Sequence, residues 1–133
     1  MKKLAVIGIS GRMGEELLRL AKEFSFEVTA GVARDKATVP GARVVDKPQA
    51  LGAGDCELVI DFSLPEVTPA VVEYCTRDKK ALVSGVTGLT PAHHEALARA
   101  AKTIPVRWSP NMSVGHSALA QALSALKGLE GVD

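Results

Sequence analysis

Leu4-Ala5-Val6-Ile7-Gly8-Ile9-Ser10-Gly11-Arg12-Met13-Gly14 is an apolar, β-branched run that breaks into a Gly-x-x-Gly-x-x-Gly turn. Directly after it, Leu17, Leu18, Leu20, Ala21 and Phe24 recur at helical spacing, with Glu15, Arg19, Lys22 and Glu23 on the opposite side. Strand, glycine turn and amphipathic helix, in that order, begin a β-α-β unit. Glycines let the chain turn tightly and let its backbone approach a pyrophosphate closely. The amino end of the helix adds free amides and a dipole that favours negative charge. Gly8, Ser10, Gly11, Arg12, Met13 and Gly14 are therefore candidate dinucleotide-binding residues. The middle glycine stands one place away from the commonest fingerprint, so the turn needs support from the rest of the chain.

Working outward, short apolar runs alternate with helical patterns, which implies parallel strands joined by crossover helices. Strands are expected at 3–9, 27–33, 58–62, 81–84 and 106–108, with a weaker one at 43–45. Ala70, Val71 and Tyr74 form a second helical stripe, and Ala96, Leu97, Ala100 and Ala101 a third. A last helix is expected from about 114 to 127, where Leu119, Ala122, Leu123 and Leu126 share one face and Gly128 stops it. Pro65 suits a first helical turn, where a missing backbone donor is harmless, with Ser63 before it as cap; Thr90-Pro91 repeats the device. The expected fold is one α/β domain over residues 1–133, a doubly wound, Rossmann-like, mostly parallel sheet of about five or six strands with helices on both faces.

Composition narrows the partners. The 133 residues are 47% hydrophobic, enough for one self-sufficient core. Sixteen basic residues oppose fifteen acidic ones with no segregation of sign, which argues against a nucleic-acid groove. Gly8, Ser10, Gly11 and Arg12 interrupt the first apolar run too early for a signal peptide, and no run approaches the roughly 20 residues of a membrane span. Cys56 and Cys75 lack redox or zinc spacing and read as buried thiols of a reducing compartment, so a cytoplasmic location is expected. No three side chains stand at metal-ligand spacing, and no metal is expected.

The expected second strand ends in Val32-Ala33-Arg34-Asp35, where an acidic residue would grip the ribose 2′-hydroxyl of NAD. A small neutral Ala33 beside the Arg34 guanidinium suits a 2′-phosphate instead. Arg12 and Lys36 lie close in sequence and add positive charge. NADPH is thus the favoured cofactor. NADH stays open, because a slip of register would bring Asp35 to the ribose.

Three later segments give the pattern its specificity: Asp61-Phe62-Ser63-Leu64-Pro65-Glu66, Gly85-Val86-Thr87-Gly88 and Ser109-Pro110-Asn111-Met112-Ser113-Val114-Gly115. With Gly-Arg-Met-Gly at the start, their order and spacing resemble the 4-hydroxy-tetrahydrodipicolinate (dihydrodipicolinate) reductase family over residues 8 to 115. The resemblance implies NAD(P)H-dependent reduction of a cyclic imine in lysine and diaminopimelate synthesis. It implies that Gly85 and Thr87 line the nicotinamide side of the cofactor and that Phe62 and Ser63 lie along its phosphates and ribose. Asn111 and Met112 would close the site at a domain junction. Read from the residues alone, Phe62 also suits a buried strand end, and Asp61 suits a turn-stabilising role. Val86 departs from the family's first threonine.

The family's substrate domain carries a His-His-x-x-Lys-x-Asp-x-Pro-Ser-Gly-Thr-Ala stretch, and no such stretch occurs in the 133 residues. His93 and His94 open an amphipathic helix and read as solvated; His116 reads as packing at the junction. The chain thus resembles the cofactor-binding first half of the enzyme, with no catalytic acid or lysine of its own. The family is usually tetrameric through its substrate domain, so a monomer or weak dimer is expected here. Two alternatives remain at this level: a stand-alone NADP-sensing module, and the nucleotide domain of a homoserine or aspartate-semialdehyde dehydrogenase.

Overall fold

The computed structural model describes residues 2–35, 38–108 and 124. Among these residues six strands form one parallel sheet: β1 (Lys2–Ile7), β2 (Phe26–Val32), β3 (Arg43–Val45), β4 (Leu58–Asp61), β5 (Ala81–Ser84) and β6 (Val106–Trp108). Their spatial order is β3-β2-β1-β4-β5-β6. Helix α1 (Arg12–Leu20) joins β1 to β2, α2 (Thr68–Asp78) joins β4 to β5, and α3 (Pro91–Ala100) joins β5 to β6. This is the doubly wound, Rossmann-like arrangement expected from the alternating pattern. The helix expected at about 114–127 lies outside the described residues apart from Ser124, which is helical.

The strands sort their side chains by the period of two that a pleated strand imposes. Leu4, Val6, Phe26, Leu58 and Ile60 point to the face covered by Leu17 and Leu20 of α1. Ala5, Ile7, Ala30, Val59 and Leu82 point to the opposite face, where Val71 and Tyr74 of α2 and Leu97 and Ala100 of α3 cover them. Both faces of the central strands are thus buried, which accounts for their continuous apolar runs. Tyr74 is fully buried, and its hydroxyl donates to the Gly52 carbonyl at 2.9 Å while meeting the Cys56 thiol at 3.2 Å. Cys56 and Cys75 are both buried, and burial raises the pKa of each thiol.

Three details of the sequence reading change. β1 ends at Ile7, not Ile9, because Gly8 takes φ +87 and the amides of Gly8 and Ile9 both bond the Val32 carbonyl. The Ile9 side chain is released from the strand and packs against Gly31, where an added Cβ would stand 2.5 Å from Ile9 Cδ1. Pro65 opens a single 3-10 turn (Pro65–Val67), and α2 begins three residues later; Ser63 is not its cap. Ala101, placed on the third apolar stripe, is exposed beyond the end of α3. The second Thr-Pro device holds as read: Thr90 Oγ1 accepts from the His93 amide, and His93 Nδ1 accepts from the Thr90 amide. No helix among the described residues is long and apolar enough to cross a membrane.

Candidate functional site

β1 lies between β2 and β4, and the chain connects to these two neighbours in opposite senses. Between the carboxyl ends of such strands a crevice must open, the ligand position of doubly wound sheets. Here it is a cavity of about 620 Å³. Gly8, Ser10 and Gly11 form one wall, Ala33, Arg34 and Asp35 the end above β2, and Phe62 and Ser63 the end above β4. Six of the expected site residues, namely Gly8, Ser10, Gly11, Arg34, Phe62 and Ser63, thus meet in one place.

The glycine turn shows two distinct uses of glycine. The Gly8 carbonyl accepts the Gly11 amide at 3.1 Å, and Gly11 then enters α1 in an extended conformation with no side-chain cap on the helix. The first-turn amides of α1, at Arg12, Met13 and Gly14, thus receive no cap from a Gly11 side chain, and they follow directly on the part of the turn that lines the cavity. A Cβ at Gly11 would meet only the Gly8 carbonyl oxygen at 3.5 Å, an ordinary contact. At Gly14 it would lie 2.0 Å from the Ile9 carbonyl oxygen and 2.5 Å from its carbon. Gly14 therefore serves the packing of α1 on β1, and Gly11 leaves open space towards the cavity.

At the far end, the Ala33 amide bonds the Val45 carbonyl at 3.0 Å, which fixes the tip of β2 against β3. Ala33 is buried, while Arg34 and Asp35 are exposed and line the cavity together with Lys47 and Gln49 from the loop after β3.

Asp61, the last residue of β4, is 1% exposed. Its Oδ1 accepts the Ser63 amide at 2.8 Å and the Ser63 hydroxyl at 2.6 Å, a turn-stabilising arrangement as read from the sequence. Burial raises its pKa to about 6 despite the two Ser63 hydrogen bonds, which act downward. The folded-state value lies above the unfolded one, so the protonated form favours folding. That stability is present in full below about pH 4 and is lost as pH rises through about 6. Asp61→Asn should remove this dependence. The difference in unfolding free energy between parent and variant should change by on the order of 3 kcal/mol from pH 4 to pH 7. Denaturant titrations across that window measure it, and parallel curves would show that the carboxyl does not titrate there.

Phe62 packs against the core, as its reading as a buried strand end expects, and also lines the cavity. Its ring lies on Gly85, where a Cβ would stand 2.5 Å from Phe62 Cε1. The Gly85 amide in turn donates to the Asp61 carbonyl at 2.9 Å. Gly85 thus sits at the same sheet edge under Phe62, but neither it nor the exposed Thr87 lines this cavity. Val86 is buried, and its carbonyl accepts the indole N–H of Trp108 at 2.9 Å. His93 and His94, expected to be solvated, are instead half-buried and engaged: His93 completes the capping box, and the His94 ring meets Trp108 edge-on at 4.5 Å. Lys36, Asn111, Met112 and His116 lie outside the described residues.

A sequence profile described as "Dihydrodipicolinate reductase, N-terminus" matches residues 2–112. The chain belongs to the dihydrodipicolinate reductase family. The matched span encloses the glycine turn, Asp61-Phe62-Ser63 and Gly85-Val86-Thr87-Gly88, and reaches Asn111 and Met112. A 4-hydroxy-tetrahydrodipicolinate reductase of Xylella fastidiosa strain M12 is 41% identical over 124 residues, covering 88% of this chain and 51% of the relative. That of Stenotrophomonas maltophilia strain R551-3 is 37% identical, covering 98% of this chain and 57% of the relative. The chain spans about half the length of the curated relatives it matches. In fold it is similar to a dipicolinate-bound dihydrodipicolinate reductase from Paenisporosarcina sp. TG-14, with TM-score 0.71, 17% identity, and coverage of 86% of this chain and 49% of that one. A homoserine dehydrogenase of S. aureus shares the fold at TM-score 0.63 and 12% identity over 81% of this chain and 32% of that one. At that identity only the fold is shared, and the profile match separates the reductase family from this neighbouring dehydrogenase.

Some cavity residues escaped the sequence reading. Asp46 and Lys47 line it from the bend after β3, the weakest of the expected strands, and Pro48 and Gln49 from the short 3-10 turn that follows (Pro48–Ala50). Pro48 was the available signal, since a proline beyond a strand marks a turn at the carboxyl edge. Ala70, assigned to the apolar stripe of α2, lines the cavity instead of joining the core with Val71 and Tyr74.

Proposed function

We propose that this chain is the dinucleotide-binding portion of a 4-hydroxy-tetrahydrodipicolinate reductase, working with NADPH in preference to NADH in the cytoplasmic synthesis of lysine and diaminopimelate. The observation that carries the reading is the uncapped glycine turn at the switch point of the sheet, in a chain of this family. In this reading the pyrophosphate sits over Gly8, Ser10, Gly11 and the amides of Arg12, Met13 and Gly14. Arg34 takes the adenosine 2′-phosphate. Phe62 and Ser63 lie along the phosphates and ribose, Gly85 and Thr87 line the nicotinamide side, and Asn111 and Met112 close the site. The open space above Gly11, which a Cβ would begin to fill, fits the close approach of a phosphate. When bound, the cofactor supplies the hydride, and the protein supplies orientation and charge.

Residues 1–133 serve as one dinucleotide-binding domain in this reading, and the groups that hold and protonate the imine belong to the family stretch these residues lack. The 133-residue chain should therefore bind NADPH measurably and show no steady turnover of the imine. Calorimetry with NADPH and a spectrophotometric assay of its oxidation test the two halves separately. Absence of binding heat at millimolar nucleotide defeats the cofactor reading, and sustained turnover by the pure chain defeats the assignment of the catalytic groups elsewhere.

A further inference from the structure

Ser63 has one hydroxyl hydrogen, and the 2.6 Å contact gives it to Asp61 Oδ1. The Ser63 amide points at the same oxygen from 2.8 Å, so Oδ1 is held in place by two donors. At neutral pH the carboxyl, with its pKa at about 6, is mostly ionised, and a carboxylate accepts hydrogen bonds and cannot donate. Among the described residues no charged group offsets it directly. The titratable neighbour across from it is the Cys75 thiol of α2, which burial keeps neutral. Among the described residues, the other charges on the cavity wall are Arg34, Asp35, Asp46, Lys47 and Glu66. What remains of the Ser63 hydroxyl towards the cavity it lines is oxygen lone pairs.

We infer that Asp61 is a positioning residue of the nucleotide pocket: by taking the hydroxyl hydrogen of Ser63 it makes Ser63 Oγ an acceptor-only group, which selects a sugar hydroxyl and rejects a phosphate at the end of β4. This rests on the dinucleotide reading above and refines it, because Ser63 then follows a ribose and not the phosphates. The strand order assigns which ribose. Ala33 and Arg34 mark the adenosine side above β2, the glycine turn holds the pyrophosphate above β1, and Ser63 lies beyond it above β4. An acceptor backed by a buried carboxylate repels an anion there, whereas a ribose diol offers the hydrogens it needs. The hydroxyl recognised is on the ribose distal to adenosine.

ADP and ADP-ribose differ by that ribose and are the probes, titrated calorimetrically into the 133-residue chain at about pH 8, where the carboxyl is ionised. The readout is the ratio of the two affinities. Ser63→Ala should lower the ratio roughly three- to tenfold by weakening ADP-ribose alone, and Ser63→Thr should restore it. Asp61→Asn, similar in shape but without the charge that compels donation, should lower the ratio severalfold while leaving ADP affinity and melting temperature no worse than the parent's. Combined with Ser63→Ala it should add nothing, because Asp61 acts through Ser63. A purely structural Asp61 would weaken both ligands together, and that result, or an unchanged ratio in Ser63→Ala, overturns the inference alone. Failure of the unaltered chain to bind either ligand overturns the dinucleotide reading and the inference with it.

Discussion

Gly14→Ala is expected to destabilise the fold by at least about 3 kcal/mol, lowering the melting temperature by roughly 10 °C or more. The added methyl would sit 2.0 Å from the Ile9 carbonyl oxygen and 2.8 Å from Ile9 Cα. Both are backbone atoms of the segment that leaves β1, so no side-chain rotation relieves the contact. The chain must move α1 outward, and with it Leu17 and Leu20, which cover the β1 face of the core. Valine should be worse still. Gly11→Ala is the internal control, since its Cβ meets one carbonyl oxygen at 3.5 Å and its φ of −78 suits any residue. That variant should melt within a few degrees of the parent yet bind NADPH less well, because its methyl occupies the space a phosphate would approach. Circular dichroism melts of the two variants read the contrast. Should Gly14→Ala melt with the parent, the close seating of α1 on β1 is wrong. Should Gly11→Ala bind as the parent does, the turn is structural only.

That contrast also shows where the sequence was readable and where it was not. Gly11 and Gly14 are the same residue type three places apart, and the pattern that found them assigns both to one ligand. Only the position of Ile9 separates them, and it depends on β1 stopping at Ile7, a boundary set by the positive φ of Gly8 and two amides converging on Val32. Periodicity locates elements well because burial on one or both faces repeats along many residues: β5 and β6 fall at the expected positions, and even the weak β3 does. Single residues at element ends obey local hydrogen bonds instead. Ser63 looked like a cap for the helix after Pro65, but its hydroxyl belongs to Asp61, and that preference is invisible until the turn brings the two side chains together. Thr90 was legible because proline, threonine and helix stand adjacent in the chain. Lys47 was not, because its place in the cavity that Arg34 also lines depends on β3 lying beside β2 and not on any neighbour in sequence.

A preference for NADPH over NADH of roughly ten- to hundredfold is expected, equal to about 1.5 to 3 kcal/mol from a charge-assisted pair between Arg34 and the 2′-phosphate. The tip of β2 supports this geometrically. Ala33 is 5% exposed and contributes no polar group to a ribose, while Arg34 opens onto the cavity with no ion-pair partner among the described residues. Lys47 brings a second cation to the same cavity, so its replacement by alanine should weaken NADPH by a smaller factor in the same direction. Arg34→Ala should weaken NADPH and leave NADH nearly unchanged. Ala33→Glu should act with the opposite sign on NADH, because a carboxylate at the strand end accepts from the ribose diol and repels the phosphate. Raising salt should erode the NADPH advantage, since exposed charges are screened within about 10 Å at 0.1 M. Asp35 shares the cavity and gives the competing account a definite form: a carboxylate there would grip the 2′-hydroxyl and favour NADH. Equal affinities for the two nucleotides would remove the preference without touching family membership. A preference for NADH that Asp35→Ala abolishes would transfer the ribose contact from the expected position of Ala33 to a residue two places further along the chain.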